Sequence, residues 1–322
     1  MNVVGTVAEL WRFPVKSMAG ERLSRAEIES TGVVGDRLWA VRDTALGCIT
    51  GGKRIPALMT CSARFLAEPA AGAVDDRVPP VAIRLPDGTE LRSDQPDVDA
   101  RLSQFVGRAV TLCRRRPAAD RGHYRAARLT MTDLRAQFGL APDEPVPDFS
   151  MFSTAMLIEL SRYATPPGTY FDAYALHFVT TATVAELRRL APSADVAAMR
   201  LRPNLLIACD GDGLVENGWC GGTLSAGTLE AAVEIPSVRC SMTTRAQPGL
   251  GADPGVLRAI VEHARRCAGV YARVERPGHV ALGDQVAVGL PRGSRLGGLA
   301  KASARSLRRL ALRARAATLP DK

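Results

Sequence analysis

Apolar and polar residues alternate over many short stretches of this chain, and the alternation predicts β-strands. The first predicted strand spans residues 3–12. Val4, Thr6, Ala8 and Leu10 are expected to lie on one face of it. Further strands are predicted at residues 37–43, 202–210 and 270–276. Short strands punctuated by glycine are typical of a β-barrel.

Two hairpins are predicted from turn signals. Residues 81–85 and 89–93 flank Asp87-Gly88, a dipeptide that favours a tight turn between antiparallel strands. A second, terminal hairpin is predicted over residues 270–290, which contain Pro277-Gly278.

Three helices are predicted from apolar spacing and capping residues. Residues 98–107 place Val98, Leu102, Phe105 and Val106 on one side. Thr180 or Thr181 caps a second helix that ends at Leu190. Asp253-Pro254 begins a third, predicted to reach about residue 268 with Cys267 on its apolar face.

The length of 322 residues predicts two packed domains. A proline-rich stretch at 140–152 is interpreted as the linker or a long surface crossover. We therefore expect a β-rich domain at 1–140, a second domain at 141–290 and a tail at 291–322. The fold class is predicted to be mainly β with some α, that is, α+β.

The formal charge of +9 is concentrated in the tail. Residues 291–322 contain nine basic residues against Asp321 alone, so they carry +8 of that charge. A nearly neutral body argues against a specific nucleic-acid-binding protein. The tail is interpreted either as a solvated extension or as a basic amphipathic helix, and a weak contact with an anionic surface is expected from it.

No signal peptide or membrane-spanning apolar run is visible, so the cytoplasm is the expected location. The seven cysteines contain no CxxC pair and show no zinc or iron–sulfur spacing. An odd number of cysteines without a secretion signal argues against a disulfide framework.

One cysteine and several cationic residues are candidates for chemistry. Cys240 follows Arg239 in a polar loop, where a thiolate could be stabilised and could bind a soft metal. The alternative is an ordinary structural cysteine. Cationic side chains at strand ends could together hold a phosphate, or each could form a weak surface salt bridge. These residues are Lys16 (beside Ser17), Arg37, Arg202 (near Asn204) and Arg239.

Five segments, in order along the chain, resemble the MOSC family. They are residues 5–17 (GTVAELWRFPVKS), 35–41 (GDRLWAV), 201–204 (LRPN), 239–244 (RCSMTT) and 277–286 (PGHVALGDQV). The resemblance covers about residues 3–290 and implies an N-terminal β-rich domain packed on a MOSC-type β-barrel. The family includes the mitochondrial amidoxime-reducing component and related bacterial reductases.

The resemblance implies a molybdenum cofactor (molybdopterin with molybdenum) and no pyridoxal phosphate. It assigns the metal ligand to Cys240, and the phosphate and pterin contacts to Lys16, Ser17, Arg37, Arg202, Asn204 and Arg239. It also implies an oxidoreductase that reduces N-hydroxylated or N-oxygenated small molecules. No flavin or iron–sulfur motif is visible, so electrons would come from a separate flavin or iron–sulfur protein.

Two points leave the activity open. A sulfur carrier that holds a persulfide on Cys240 would use the same reactive thiolate. The sequence also departs from the reductases at Ala173 and Tyr174, where they carry a Ser/Thr pair.

Overall fold

The computed structural model describes residues 1–290 together with Arg309 and Leu312. The predictions for the tail therefore lie almost wholly outside the described residues. Strands are numbered in chain order: β1 (Asn2–Arg12), β2 (Glu21–Leu23), β3 (Arg25–Glu29), β4 (Gly32–Val33), β5 (Trp39–Asp43), β6 (Cys48–Thr50), β7 (Ser62–Phe65), β8 (Val81–Arg84), β9 (Glu90–Arg92), β10 (Val110–Arg114), β11 (Leu176–Thr180), β12 (Leu205–Ala208), β13 (Thr223–Ala226), β14 (Leu229–Val238), β15 (Cys267–Arg276), β16 (Gly278–Ala281) and β17 (Gln285–Gly289). The α-helices are α1 (Val98–Val106), α2 (Met131–Phe138), α3 (Thr154–Arg162), α4 (Thr181–Leu190), α5 (Ala198–Leu201) and α6 (Pro254–Ala264).

Seven strands close into a barrel, in the order β12, β11, β15, β14, β13, β17 and β1. The barrel closes because β1 pairs with β12 as well as with β17. Only the β11–β12 pair is parallel. Apolar side chains from every barrel strand fill the interior, among them Leu10, Phe178, Leu205, Val270 and Val286. The predicted α+β class, with strands dominant, is confirmed.

A second core belongs to the N-terminal half of the chain. The sheets β10-β5-β6 and β7-β8-β9 enclose it. Helix α1 contributes Val98 and Leu102, with Phe105 and Val106 packed at its border, as the apolar spacing predicts. The hairpin predicted at Asp87-Gly88 is also confirmed, since β8 and β9 pair across it and Gly88 has a φ of 88°.

The prediction that Val4, Thr6, Ala8 and Leu10 share one face of β1 holds only in part. Its pairing register with β12 shifts between Val7 and Glu9, so a bulge interrupts the alternation. Val7 and Leu10 therefore point into the barrel core, whereas Thr6 is exposed.

The predicted terminal hairpin is also wrong. β16 pairs with β3 of the N-terminal half, while β17 pairs with β1 and β13 in the barrel. A turn signal at Pro277-Gly278 marks where the chain leaves the barrel sheet, and it does not identify the next partner.

The third predicted helix begins as expected but ends early. Asp253 caps α6 and Pro254 occupies its first turn. The helix stops at Ala264 because Arg265 and Arg266 both have positive φ, at 49° and 64°. Cys267 is consequently the first residue of β15 and not part of the helix.

Two helices that were not predicted flank the proline-rich stretch. Residues 126–162, here called the connecting segment, contain α2 and α3 on either side of residues 139–153, which form neither helix nor strand. Neither helix buries a residue fully. The segment therefore lies on the surface of the barrel and does not thread through it.

Within the described part of the chain, no helix has the length and apolarity required to cross a membrane.

Candidate functional site

The seven candidate residues come together in one connected set at an end of the barrel, where loops of the N-terminal half meet it. Cys240 lies in the loop of residues 239–244, here called the Cys240 loop, directly after β14. It is a free, half-buried cysteine, and its carbonyl oxygen accepts hydrogen bonds from the backbone and the hydroxyl of Thr243. These bonds close a short 3-10 helix (Ser241–Thr244) and hold the thiol at its start.

Arg239 anchors the loop on the barrel side. Its guanidinium donates to the Ser237 hydroxyl at 2.8 Å and to the Leu201 carbonyl at 2.8 Å. Its Nη1 also lies 3.4 Å from Nε2 of His177. Nε of Arg239 is buried and has no hydrogen-bond partner among the described residues. An unpaired buried donor is costly, so this atom favours an acceptor supplied by a ligand or a water.

Arg202 shows the same feature. It is buried, and one of its nitrogens donates to the Ser17 carbonyl at 3.5 Å. Its Nη2 has no hydrogen-bond partner in the part of the chain that the structure describes. The guanidinium carbon of Arg202 lies 4.2 Å from the centroid of the Phe13 ring, and that of Arg37 lies 5.0 Å from the same centroid. Burial and the charge of Arg37 lower the pKa of Arg202 to about 9, which leaves it protonated at neutral pH.

His177 connects the two arginines. Its Nδ1 lies 3.3 Å from the Arg202 carbonyl, and its Nε2 faces Arg239. Burial and the charge of Arg239 lower the pKa of His177 to about 3. The ring is therefore neutral, and the site keeps its positive charge on the arginines.

Asn204 has no free side-chain group. Its amide nitrogen donates to Asp36 at 3.1 Å and toward the Trp11 carbonyl at 3.4 Å, and its oxygen accepts from the His177 backbone at 3.1 Å. Asp36 in turn pairs with Arg37 and accepts from the Phe13 backbone. Asn204 thus holds the loops that carry Arg37 and Arg202 in place against β1.

Ser17 and Lys16 approach from the N-terminal half. The Ser17 hydroxyl accepts a hydrogen bond from the Gly52 backbone at 2.8 Å. The Lys16 ammonium lies 2.5 Å from one oxygen of Asp172 and donates to the Tyr170 carbonyl at 2.9 Å. Burial lowers the pKa of Lys16, although the charge of Asp172 opposes this effect.

The structure adds two charged residues that sequence reasoning missed. Lys53 lies 2.9 Å from the second oxygen of Asp172. Burial alone would raise the pKa of Asp172, but Lys16 and Lys53 outweigh it and hold that pKa well below its usual range. Burial likewise works against the charge on Lys53, but the charges of Asp172 and Cys240 raise its pKa. Lys53 therefore lies within electrostatic range of the thiol. The Gly51-Gly52 pair directly before Lys53 was the sequence signal that could have identified this lysine.

Five cations therefore belong to the connected set that includes the Cys240 loop, and they are here called the cation cluster: Lys16, Arg37, Lys53, Arg202 and Arg239. Asp36 and Asp172 are the carboxylates that pair with them among the described residues. The excess of positive charge in a half-buried space suits an anionic ligand.

A metal in this space would need ligands from outside the protein. No group of three or more His, Cys, Asp or Glu side chains capable of holding a metal ion occurs among the described residues. Cys240 can supply one thiolate. The donor set therefore suits a metal that arrives within an organic, anionic carrier.

Comparisons with known proteins agree with this geometry. The model of the MOSC N-terminal beta barrel domain matches residues 4–109, and the model of the MOSC domain matches residues 166–287. The chain belongs to the MOSC family. This family is known for binding the molybdenum cofactor. The matched parts of this MOSC protein together supply all seven candidate residues.

Solved structures with detectable similarity are distant. The YUAD protein from Bacillus subtilis is 12% identical, with a TM-score of 0.41 and coverage of 88% of this chain and 95% of that chain. YiiM from Geobacillus stearothermophilus is 22% identical, with a TM-score of 0.30 and coverage of 38% of this chain and 57% of that chain. No curated protein matches this MOSC protein.

Proposed function

We propose that this MOSC protein binds a molybdenum cofactor through the thiolate of Cys240 and reduces N-hydroxylated or N-oxygenated small molecules. The observation that carries the proposal is the position of Cys240 directly after Arg239, which is linked through His177 to Arg202. Both arginines are buried, and each keeps a donor that is unpaired among the described residues. A phosphate and the polar edge of a pterin carry the acceptors that such donors require.

The residues divide the work of binding among themselves. Lys16 and Arg202 would hold the phosphate, since both are cationic and both adjoin Ser17: Lys16 precedes it in the chain, and Arg202 donates to its carbonyl oxygen. Arg239 would hold the pterin edge near the metal. Arg37, whose guanidinium lies over the Phe13 ring, would add positive charge that attracts the anionic cofactor. Asn204 and His177 bind no ligand directly in this arrangement, and they keep the arginines in place.

The cofactor, when bound, would supply the redox-active metal that takes oxygen from the substrate. Removing one oxygen from an N-hydroxyl group as water consumes two electrons and two protons. The protein residues described here cannot store those electrons, so we assign their supply to a separate flavin or iron–sulfur protein. The neutral His177 keeps the binding site free of a further titrating charge at physiological pH.

The test is the molybdenum content of protein purified from a host that makes the cofactor. We expect about one molybdenum per chain in the wild type and almost none in Cys240→Ala, because the thiolate is the only metal ligand that the loop supplies. Cys113→Ala is the matched control, since Cys113 is also free and half-buried but lies on β10 outside the site. Full molybdenum content in Cys240→Ala, with the fold intact, would contradict the proposal.

A second candidate function uses the same cysteine. Cys240 is free, half-buried and connected to the cation cluster, which also suits a carrier of sulfane sulfur as a persulfide. Mass spectrometry of the purified chain separates the two candidates. One added sulfur atom on Cys240 in protein without molybdenum would favour the carrier.

A further inference from the structure

Two lysines from distant parts of the chain share one carboxylate beside the Cys240 loop. The Lys16 ammonium lies 2.5 Å from Oδ1 of Asp172, and the Lys53 ammonium lies 2.9 Å from Oδ2. We propose that Lys16 and Lys53 together form a seat for a phosphate group, and that Asp172 is an internal counter-ion which the phosphate displaces.

Local sequence explains why Lys53 reaches this place. Gly51 and Gly52 let the loop after β6 lie directly against Ser17. A Cβ atom at Gly51 would come within 2.4 Å of the Ser17 hydroxyl, and one at Gly52 within 2.6 Å of Met59. Any larger residue would push the loop away and carry Lys53 with it. The Gly-Gly-Lys run is therefore built to place a cation at this point.

Charge balance argues that Asp172 is not the final partner of both lysines. One carboxylate neutralises one ammonium, so a positive charge remains on the Lys16–Lys53 pair. Arg37, Arg202 and Arg239 add further positive charge in the same connected set, and of these Arg37 is paired with the Asp36 carboxylate. Both lysine side chains are mostly shielded from water, at 11% and 25% exposure. Shielded like charges repel strongly, and an incoming anion removes that repulsion.

The geometry indicates the chemical class of the anion. The two ammonium groups contact different oxygens of one planar carboxylate. A phosphate offers the same pair of oxygens with more negative charge, and lysines bind phosphates as point charges. The two lysines are proposed to bind phosphate whether or not it belongs to a cofactor. The proposal rests on the proposed function only in naming the cofactor's phosphate as the natural ligand.

The experiment is calorimetric titration of inorganic phosphate into the full chain, purified from a host that cannot make the cofactor. Lys53→Met is expected to weaken binding about tenfold, since one charge-assisted contact is lost. Arg54→Met is the matched control. Arg54 is the next cation in the same loop but pairs with Asp133, 3.2 Å away, so its variant should bind phosphate within about twofold of the wild type.

Two further variants keep the proposal falsifiable if Lys53→Met folds poorly. Lys53→Arg retains the charge and should restore most of the affinity. Asp172→Asn removes the competing counter-ion and should bind phosphate more tightly than the wild type, by about fivefold. No phosphate binding by the wild type, or equal binding by Lys53→Met, would overturn the seat. The same holds for weaker binding by Asp172→Asn.

The outcome is separable from that of the proposed function. Phosphate affinity is measured without molybdenum, whereas the proposed function depends on molybdenum bound at Cys240. If Cys240→Ala retained molybdenum while Lys53→Met lost phosphate affinity, the two-lysine seat would stand and the assignment of the metal ligand would fall.

Discussion

Three of the candidate residues have an unusual backbone conformation. Ser17, Arg37 and Arg202 have φ angles of 74°, 52° and 54°, in the left-handed region that favours glycine. Each such residue costs on the order of 1–3 kcal/mol and persists only where its surroundings hold it. Residues of this kind are typical of functional sites, and the position of these three at one end of the barrel supports the candidate site independently of side-chain chemistry.

Sequence reasoning at the residue scale found the cations that follow strands, but it missed their partners. Lys16 and Asp172 are separated by 156 positions, and no local pattern connects them. Lys53 was overlooked for the same reason. His177 was not identified from the sequence, because its role depends on two arginines that only the fold brings to it.

His177 provides a prediction about pH. Its folded-state pKa of about 3 lies below the value of about 6.5 expected in the unfolded chain, so the unfolded chain binds the proton more readily. The stability contribution is therefore complete above pH 6.5 and is lost as the pH falls toward 3. Between pH 6.5 and pH 5 the loss should be about 2 kcal/mol.

Chemical denaturation of His177→Gln at several pH values tests this. The variant should lose less stability than the wild type between pH 6.5 and pH 5, whatever its stability at pH 7. His279→Gln, at an exposed position, is the control and should keep the wild-type pH slope. A slope in His177→Gln equal to that of the wild type would show that this ring does not titrate on unfolding.

At the scale of elements, the connecting segment is attached directly to the Cys240 loop. The Ser241 hydroxyl donates to the Gln137 carbonyl at 2.9 Å. Arg266 donates to the Phe138 carbonyl at 2.8 Å and pairs with Glu144, while its own carbonyl accepts from the Arg239 backbone. The segment is thus attached on both sides of the thiol.

A row of rings continues this attachment away from α2. Neighbouring centroids in the row are 5.2–6.2 Å apart, within the range of favourable aromatic contact. The row is formed by Phe138, Phe149, Phe152, Tyr174, Tyr271 and His177. It packs the segment onto β11 and β15 and ends at the ring that contacts Arg239.

Arg266→Met should weaken the attachment of the connecting segment to the Cys240 loop. It removes the hydrogen bond to Phe138 and the pairing with Glu144, at a local cost of about 1–3 kcal/mol. Amide exchange in residues 131–144 and alkylation of Cys240 by iodoacetamide should both become faster, by about tenfold, because opening of the segment becomes more frequent. Mass spectrometry of the peptides measures both rates.

Arg265→Met is the control for that experiment. Arg265 is the neighbouring residue, is exposed and has the same left-handed backbone, with a φ of 49°. Its variant should leave both rates unchanged. Equal acceleration in the two variants would mean that backbone strain at the end of α6, and not the side-chain contacts of Arg266, determines how often the connecting segment opens.

The three predicted helices begin where the sequence indicates, and of their ends only that of α6 was missed. Thr180 caps α4 through the Thr183 backbone, and Asp253 caps α6 through the Gly255 backbone, both as capping preferences indicate. The end of α6 was missed because it depends on two arginines in the left-handed region, a conformation that arginine rarely adopts. α2 and α3 were missed because prolines around them dominated the pattern.

At the scale of the whole molecule, the two halves are interlocked. β1 opens the chain and belongs to the C-terminal barrel, where it pairs with β12 and β17. β16, from the C-terminal end, pairs with β3 of the N-terminal half. Periodicity identified most of these strands, but their partners lie far away in sequence, so the pairings could not be predicted from local patterns.

Because the two halves are interlocked, two C-terminal truncations are expected to differ in their effect on the fold. A chain ending at Gly283 lacks β17, which pairs with both β1 and β13, and should fail to close the barrel. A chain ending at Leu290 keeps every barrel strand. It loses the ion pair of Arg309 with Asp148, but both partners are about half exposed, so its melting temperature should hardly change.

The same Leu290 truncation tests the role expected of the basic tail. Nine basic residues against one acidic residue should bind vesicles of anionic lipid, with about 1 kcal/mol from each basic residue that reaches the surface. In co-sedimentation at low salt the full chain should bind anionic vesicles and spare zwitterionic ones, and added salt should release it. The truncated chain should bind neither kind. Retained binding after truncation would move the anionic-surface contact to the cation cluster and leave the tail without that role.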